Sequence, residues 1–269
     1  MALPKLAITN QAFSSSAETL AFCRSQECFE VEYTFPRNLR TIHEITNQIE
    51  EIEFLLEHGC NLRYHLAFHQ VELADANPGK ARLALRIYEH SLRTAAYLGG
   101  HFATIHVCLN VSSMEKVNRA AAVDSVGALV SLGKQLGIQV CLENLRKGWT
   151  NSPQGLRALL DETGAWATLD IGHAVARELA EDAPGYALDY IDLCGERILE
   201  AHVYEVEVVP PEGGPAYHLA PQDLSRIRAL LDHLNTSSAC DYWLIELQQP
   251  AEVARTMQLL QAYTSGRKA

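Results

Sequence analysis

The sequence predicts an α/β domain in which eight strand-helix units close into a (β/α)8 barrel. Three observations predict it. Eight short apolar runs alternate with stretches of helical periodicity along a chain of 269 residues. No linker or low-complexity segment interrupts them, so residues 1–269 are read as a single domain. The apolar runs also stop repeatedly at a carboxylate or an imidazole, as barrel strands do where their carboxyl ends carry a site.

Residues 5–9 form the first strand, and Ser15 or Ser16 caps a helix that turns Leu20, Phe22 and Cys23 to the core. The second strand is 28–33. After Pro36, Thr41 caps a helix whose Ile45, Ile49, Ile52, Leu55 and Leu56 recur at helical spacing until Gly59. Strand three, 62–66, precedes a helix over 80–98 with Leu83, Ile87, Leu92, Ala95 and Ala96 on one side and Gly99 and Gly100 as its stop. Strand four covers 102–108. A helix over 114–136 ends at Gly137, strand five spans 138–143, and Ser152 followed by Pro153 opens a helix in the favoured cap-then-proline order. Strand six is 166–170, and a short helix at 186–193 leads to strand seven at 198–203. Pro221 starts a helix with Leu224, Ile227, Leu230, Leu231 and Leu234, strand eight is 242–247, and Pro250 begins the last helix. The one unusual insertion, 206–220, is rich in Pro, Gly and Glu and follows strand seven, where barrels carry functional loops.

A hydrophobic content of 48% supports a sizeable core, and a formal charge of −11 disfavours non-specific binding to phosphate backbones. No apolar run approaches the ~20 residues of a membrane span, and the N-terminus lacks a basic stretch followed by an apolar core. The expectation is a cytoplasmic protein with a small-molecule substrate, monomeric or homo-oligomeric. Its seven cysteines are never spaced as Cys-x-x-Cys and are expected to be reduced and mostly buried.

Every second residue of a barrel strand points inward. Taking Glu143 as inward groups Cys141 and Gln139 with it and leaves Val140 and Leu142 for the helices. The same parity groups Trp166, Thr168 and Asp170, and then Tyr242, Leu244 and Glu246. With His65, His106 and His202, strands three to eight each end in a potential metal ligand. One such carboxylate alone is as readily a helix cap or a loop ion pair. Together they point to a shared divalent cation. His173, three residues past Asp170, is a further ligand or a partner that orients one. His218 is a loop ligand or a solvated residue, and Glu32 reaches the rim or caps a turn. His69 and His101 fall outside the pattern, as surface or packing histidines. Arg146 and Lys147 bind an anionic group or are merely solvated, and Trp149 stacks on a sugar or base or covers the barrel mouth. Mixed carboxylate and imidazole ligands suit zinc, manganese, cobalt or iron better than calcium.

Six segments carry a resemblance: Tyr64 with His65; Ile105 with His106; Leu142, Glu143 and Asn144; Leu169, Asp170, Gly172, His173 and Ala174; Ala201, His202, Tyr204 and Glu205; Ile245 with Glu246. Through them nearly the whole chain resembles the xylose isomerase-like TIM barrel superfamily, which contains sugar phosphate isomerases and epimerases and the endonuclease IV phosphodiesterases. The resemblance implies that Glu143, Asp170, His202 and Glu246 hold a divalent metal. In the isomerase branch Glu143 and Glu246 move the proton of an enediolate, with His173 near the substrate oxygens. Candidate substrate contacts are His65, His106, Arg146, Trp149 and His218. The phosphodiesterase branch adds ligands matching His65, His106, His173 and His218, enough for a multi-zinc cluster that activates water.

Two departures stand out. The phosphodiesterase pattern expects Asp two residues before the loop histidine, where this chain has Ala216. The epimerase pattern often has an arginine shortly after the strand-seven histidine, where this chain has Glu205 and Glu207. Acidity and Ala216 favour a metal-dependent isomerase or epimerase of a small carbohydrate or hydroxy-carbonyl compound. The histidine content favours an endonuclease IV-like multi-zinc phosphodiesterase. A barrel that binds a ligand without turnover is the third expectation.

Overall fold

The computed structural model describes residues 3–38, 42–109 and 111–266, and its strands close into the expected barrel. In chain order the barrel strands are β1 (Lys5–Thr9), β2 (Glu30–Thr34), β3 (Asn61–Leu66), β4 (Phe102–Ile105), β5 (Gln139–Glu143), β6 (Trp166–Asp170) and β7 (Ile198–Val203). A short hairpin follows, β8 (Val206–Val208) with β9 (Tyr217–Leu219), before the last barrel strand, β10 (Tyr242–Ile245). All barrel pairings are parallel, and β1 closes the ring by lying between β2 and β10. Helices connecting the strands cover the outside, where side chains such as Val31, Leu66, Ile105, Leu142 and Trp243 form a continuous apolar layer.

Inside, the alternation places a different chemistry. Glu32, Arg63, His65, Thr104, Glu143, Thr168, Asp170, Glu200 and His202 are all buried, and the apolar interior cluster is limited to Ala7, Tyr242 and Leu244. Thr104 and Thr168 join across the interior at 2.8 Å between hydroxyl oxygens. The inward parity expected around Glu143, Asp170 and Glu246 therefore holds, with an interior more polar than most barrels carry.

Several elements differ from expectation, each for a local reason. Strand four stops at Ile105 rather than at 108, and Cys108, where the strand was expected to end, sits in the left-handed region at φ 66°. The helix expected after Pro36 is two pieces, Ile42–Thr46 and Ile49–Glu57, and its expected cap, Thr41, lies outside the described residues. Gln48, at the break, accepts a hydrogen bond from the Tyr33 hydroxyl at 3.0 Å. The helix expected over 114–136 begins at Arg119, where Asn118 caps it by accepting from the Ala121 amide. Leu83 is 52% exposed, outside the buried stripe of its helix Pro78–Tyr97. The helix placed at Pro221 starts at Arg228, although Leu224 and Ile227 are buried as expected. The helix Ile171–Glu181 was not expected at all, and the short helix after it is Asp189–Cys194. Ser15 and Ser152 cap their helices as read. Among the described residues no helix is long and apolar enough to cross a membrane.

Candidate metal centre

Six strands bring their ligand-type side chains to one end. His65 lies in β3, His106 just past β4, Glu143 and Asp170 end β5 and β6, His202 lies in β7, and Glu246 follows β10. The Asn144 side chain ties two of these ends together. It accepts from the Asp170 amide at 2.7 Å and donates to the Asp170 carbonyl at 2.9 Å, continuing the sheet's pattern past β5. Asp170 then works in two directions. One oxygen accepts from the His173 amide at 2.6 Å and caps the helix Ile171–Glu181, and the other accepts from the Tyr204 hydroxyl at 2.9 Å. Such a cap is worth about 1 kcal/mol.

Glu143, Asp170, His202 and Glu246 gather about one centre. His202 Nδ1 is 3.3 Å from Glu246 Oε2 and 3.6 Å from Glu143 Oε2, and Asp170, His202 and Glu246 each offer an atom within 4.8 Å of the others. His65 and His106 converge on the same glutamate. His106 Nε2 lies 2.8 Å and His65 Nε2 3.4 Å from Glu143 Oε2, with 3.2 Å between the two nitrogens. A cavity of about 310 Å³ opens above, lined by His65, His106, Glu143 and Glu246 together with His173, His218, His69 and Arg37. A neighbouring one of about 400 Å³ shares His173 and Glu207 and adds Arg146 and Lys147. His69, read as a surface or packing residue, thus stands on the cavity wall, whereas His101 is exposed. Trp149 is half-buried against the core, and both cavities are lined without it.

The electrostatics are those of carboxylates and imidazoles sharing too few protons. Burial opposes the charged forms, yet Glu32 and Glu143 lift His65 to about 10, and Asp170 with Glu207 lifts His173 to about 10. His202 is raised well above its usual range against burial by Glu143, Glu32 and Glu246. Glu143 is correspondingly held far below it by His106 and His202, and Glu246 falls to about 2 beside His218 and His202. Asp170 goes the other way, pushed up to about 6 chiefly by burial. His106 is lowered, because burial there outweighs Glu143.

A family profile described as xylose isomerase-like TIM barrel matches residues 27–263. The chain belongs to that family. The uncharacterized protein MJ0008 of Methanocaldococcus jannaschii is 30% identical over 165 residues, 61% of this chain and 67% of the relative. Among solved structures, a D-tagatose 3-epimerase-like protein superposes with a TM-score of 0.74 at 15% identity, over 98% of this chain and 100% of that one. The IOLI protein, solved with a bound zinc atom, gives 0.71 at 15% identity over 97% and 96%. The 3-keto-D-glucoside 4-epimerase YcjR of E. coli gives 0.67 at 18% over 96% and 99%. At these identities the structures establish the shared fold.

Within this xylose isomerase-like barrel the residues present fit a divalent cation. Nδ1 of the fully buried His202, the ring nitrogen that faces Glu143 and Glu246, lacks a hydrogen-bond partner. Unpartnered buried polar atoms of this kind are costly unless something binds them. The donor set of oxygen and imidazole nitrogen is that of zinc, manganese, cobalt or iron.

Some groups escaped the reading of strand ends. Glu32 is not at the rim but wholly buried beneath it, 3.1 Å from His65 Nδ1 and 3.4 Å from His202 Nε2. Glu200 joins it, 3.7 Å from His202 Nε2. Its signal was available, since Glu200 precedes His202 by two and must share its inward face. Tyr204, two residues past His202, carried the same parity signal, whereas Glu207 had none, because its position depends on how the insertion folds.

Proposed function

We propose that this chain is a metal-dependent enzyme in which Glu143, Asp170, His202 and Glu246 hold the principal cation and His65, His106 and Glu143 hold a second. The chemistry it supports best is hydrolysis of a small phosphate ester. One observation carries this reading: Glu143 Oε2 faces His65 and His106 of the second set and His202 of the first, as a carboxylate bridging two sites would. When bound, such cations lower the pKa of water and polarise a phosphoryl oxygen.

The chain's own residues supply the rest. Arg37, Arg146 and Lys147 line the cavities and offer donors to phosphate oxygens. The charge of −11 favours a small ester over a nucleic acid. A second reading, a metal-dependent isomerase or epimerase acting through an enediolate, draws on the four-residue set alone. Glu143 and Glu246 flank His202 Nδ1 as two acid-base groups would flank a substrate.

Zinc-reconstituted protein assayed on bis(p-nitrophenyl) phosphate and on ketoses in deuterated water separates them. Phosphodiester cleavage with more than one zinc per chain is expected. Deuterium incorporation into a ketose, with a single cation per chain and no cleavage, would overturn the hydrolase reading.

A further inference from the structure

Strand alternation carries one carboxylate beneath the mouth. Along β2, Val31 and Tyr33 pack outward in the apolar layer, so Glu32 between them turns to the interior, where none of its surface is exposed. Arg63 stands next to Glu32 in the register of β2 with β3, but its guanidinium is turned to Glu200 at 3.0 Å. The ion-pair partners of Glu32 among the described residues are therefore two imidazoles, His65 of β3 and His202 of β7.

The two rings meet it through different nitrogens. His65 Nδ1 lies 3.1 Å from Glu32 Oε1, and His202 Nε2 lies 3.4 Å from Glu32 Oε2. An ionised carboxylate only accepts, so in each neutral ring the nitrogen turned to it carries the hydrogen. That assigns the pair opposite tautomers. A lone pair is left on His65 Nε2, which faces His106 Nε2 at 3.2 Å and Glu143 Oε2 at 3.4 Å. Another is left on His202 Nδ1, which faces Glu246 Oε2 at 3.3 Å and Glu143 Oε2 at 3.6 Å. Both free nitrogens thus point into the ligand sets. An outer carboxylate that holds the far nitrogen fixes the tautomer and orientation of a metal-ligating histidine. Here one carboxylate faces two such rings, whose centroids are 5.3 Å apart.

We propose that Glu32 is a positioning residue shared by the two cation sites, accepting from His65 and His202 at once and keeping Nε2 of the one and Nδ1 of the other free for metal. The inference rests on the two-cation reading above and extends it downward, with Glu143 joining the two sets from the cavity side and Glu32 from beneath. Glu200 does not duplicate the role, because it faces His202 alone, at 3.7 Å, and its other oxygen is held by Arg63.

Zinc affinities are measured by chelator competition on the full chain as wild type, Glu32→Gln, Glu32→Leu and Thr104→Val. An amide in place of the carboxylate keeps the shape but accepts from one ring while presenting its NH2 to the other. Glu32→Gln should therefore weaken one of the two zinc affinities by about 10–100-fold, and Glu32→Leu both. Thr104→Val removes an interior hydroxyl bonded to Thr168 rather than to a ligand, and should leave both affinities unchanged. Unchanged affinities in Glu32→Gln, or an equal loss in Thr104→Val, overturn the positioning role while the two-cation reading stands. Fewer than two zinc ions per wild-type chain overturn that reading and the shared role with it. Long-range proton–nitrogen spectra of the zinc-loaded wild type keep the test independent of whether a variant folds. A hydrogen on Nδ1 of His65 and on Nε2 of His202 is expected, and the reverse tautomer at either ring overturns the proposal.

Discussion

The barrel's two ends treat buried charge in opposite ways. At the lower end Arg63 lies with its guanidinium 3.9 Å from the Phe102 ring centre and 3.8 Å from that of Tyr242. It donates to Glu200 at 3.0 Å and to the Leu199 carbonyl at 3.2 Å, with Asp241 at 3.4 Å. That charge is matched by the protein itself. At the mouth, carboxylates face imidazoles, and the His202 Nδ1 between Glu143 and Glu246 is left without a hydrogen bond. Burial of charge therefore does not mark the functional end of this molecule; what differs is that the mouth groups line a cavity while Arg63 and Glu200 pair out of reach of it.

The largest expected effect tests the lower end. Arg63→Met strands Glu200 as a buried carboxylate and should cost about 3–5 kcal/mol in denaturant unfolding, with zinc per folded chain unchanged. Glu246→Gln should do the reverse. The stripped variant should unfold near wild type, while steady-state turnover falls by more than the roughly 10–100-fold typical of changes to outer partners of a metal. It should also forfeit most of the ~2.7 kcal/mol that zinc at about 100 times its Kd adds to wild type, read as a melting shift.

A pH series sharpens the same contrast. His65 and His173 are held at about 10, above their unfolded values, so the stability they contribute is fully present below the unfolded value. It is lost as pH rises from about 6.5 through 10. Stripped protein should lose melting temperature across that window, and zinc-loaded protein much less, because the cation takes the lone pairs the protons held. Calorimetry of Arg63→Met should give the same profile displaced downward. The smallest effect is a control outside both regions: Leu83→Glu, on an exposed position, should change unfolding free energy by no more than about 0.5 kcal/mol.

What the sequence made legible follows from periodicity. Strand positions could be read because period-two alternation and helix caps are local, and ligands at strand ends inherit their direction from that alternation. The helix Ile171–Glu181 escaped because its cap, Asp170, is also the last strand residue, leaving no turn chemistry between the two elements. Glu207 escaped for a different reason. Its partnership with His218 is set by hairpin register, a non-local pairing that spacing along the chain cannot show.

Gly172 lies directly under the Tyr204 ring, so closely that a methyl group at position 172 would collide with it. The same ring holds Asp170 through its hydroxyl and backs His218 through its face. One hydrogen atom in place of a side chain thus lets a single phenol brace both the Asp170 carboxylate and the His218 ring. Enlarging that residue by one carbon would push the ring aside and loosen both side chains together.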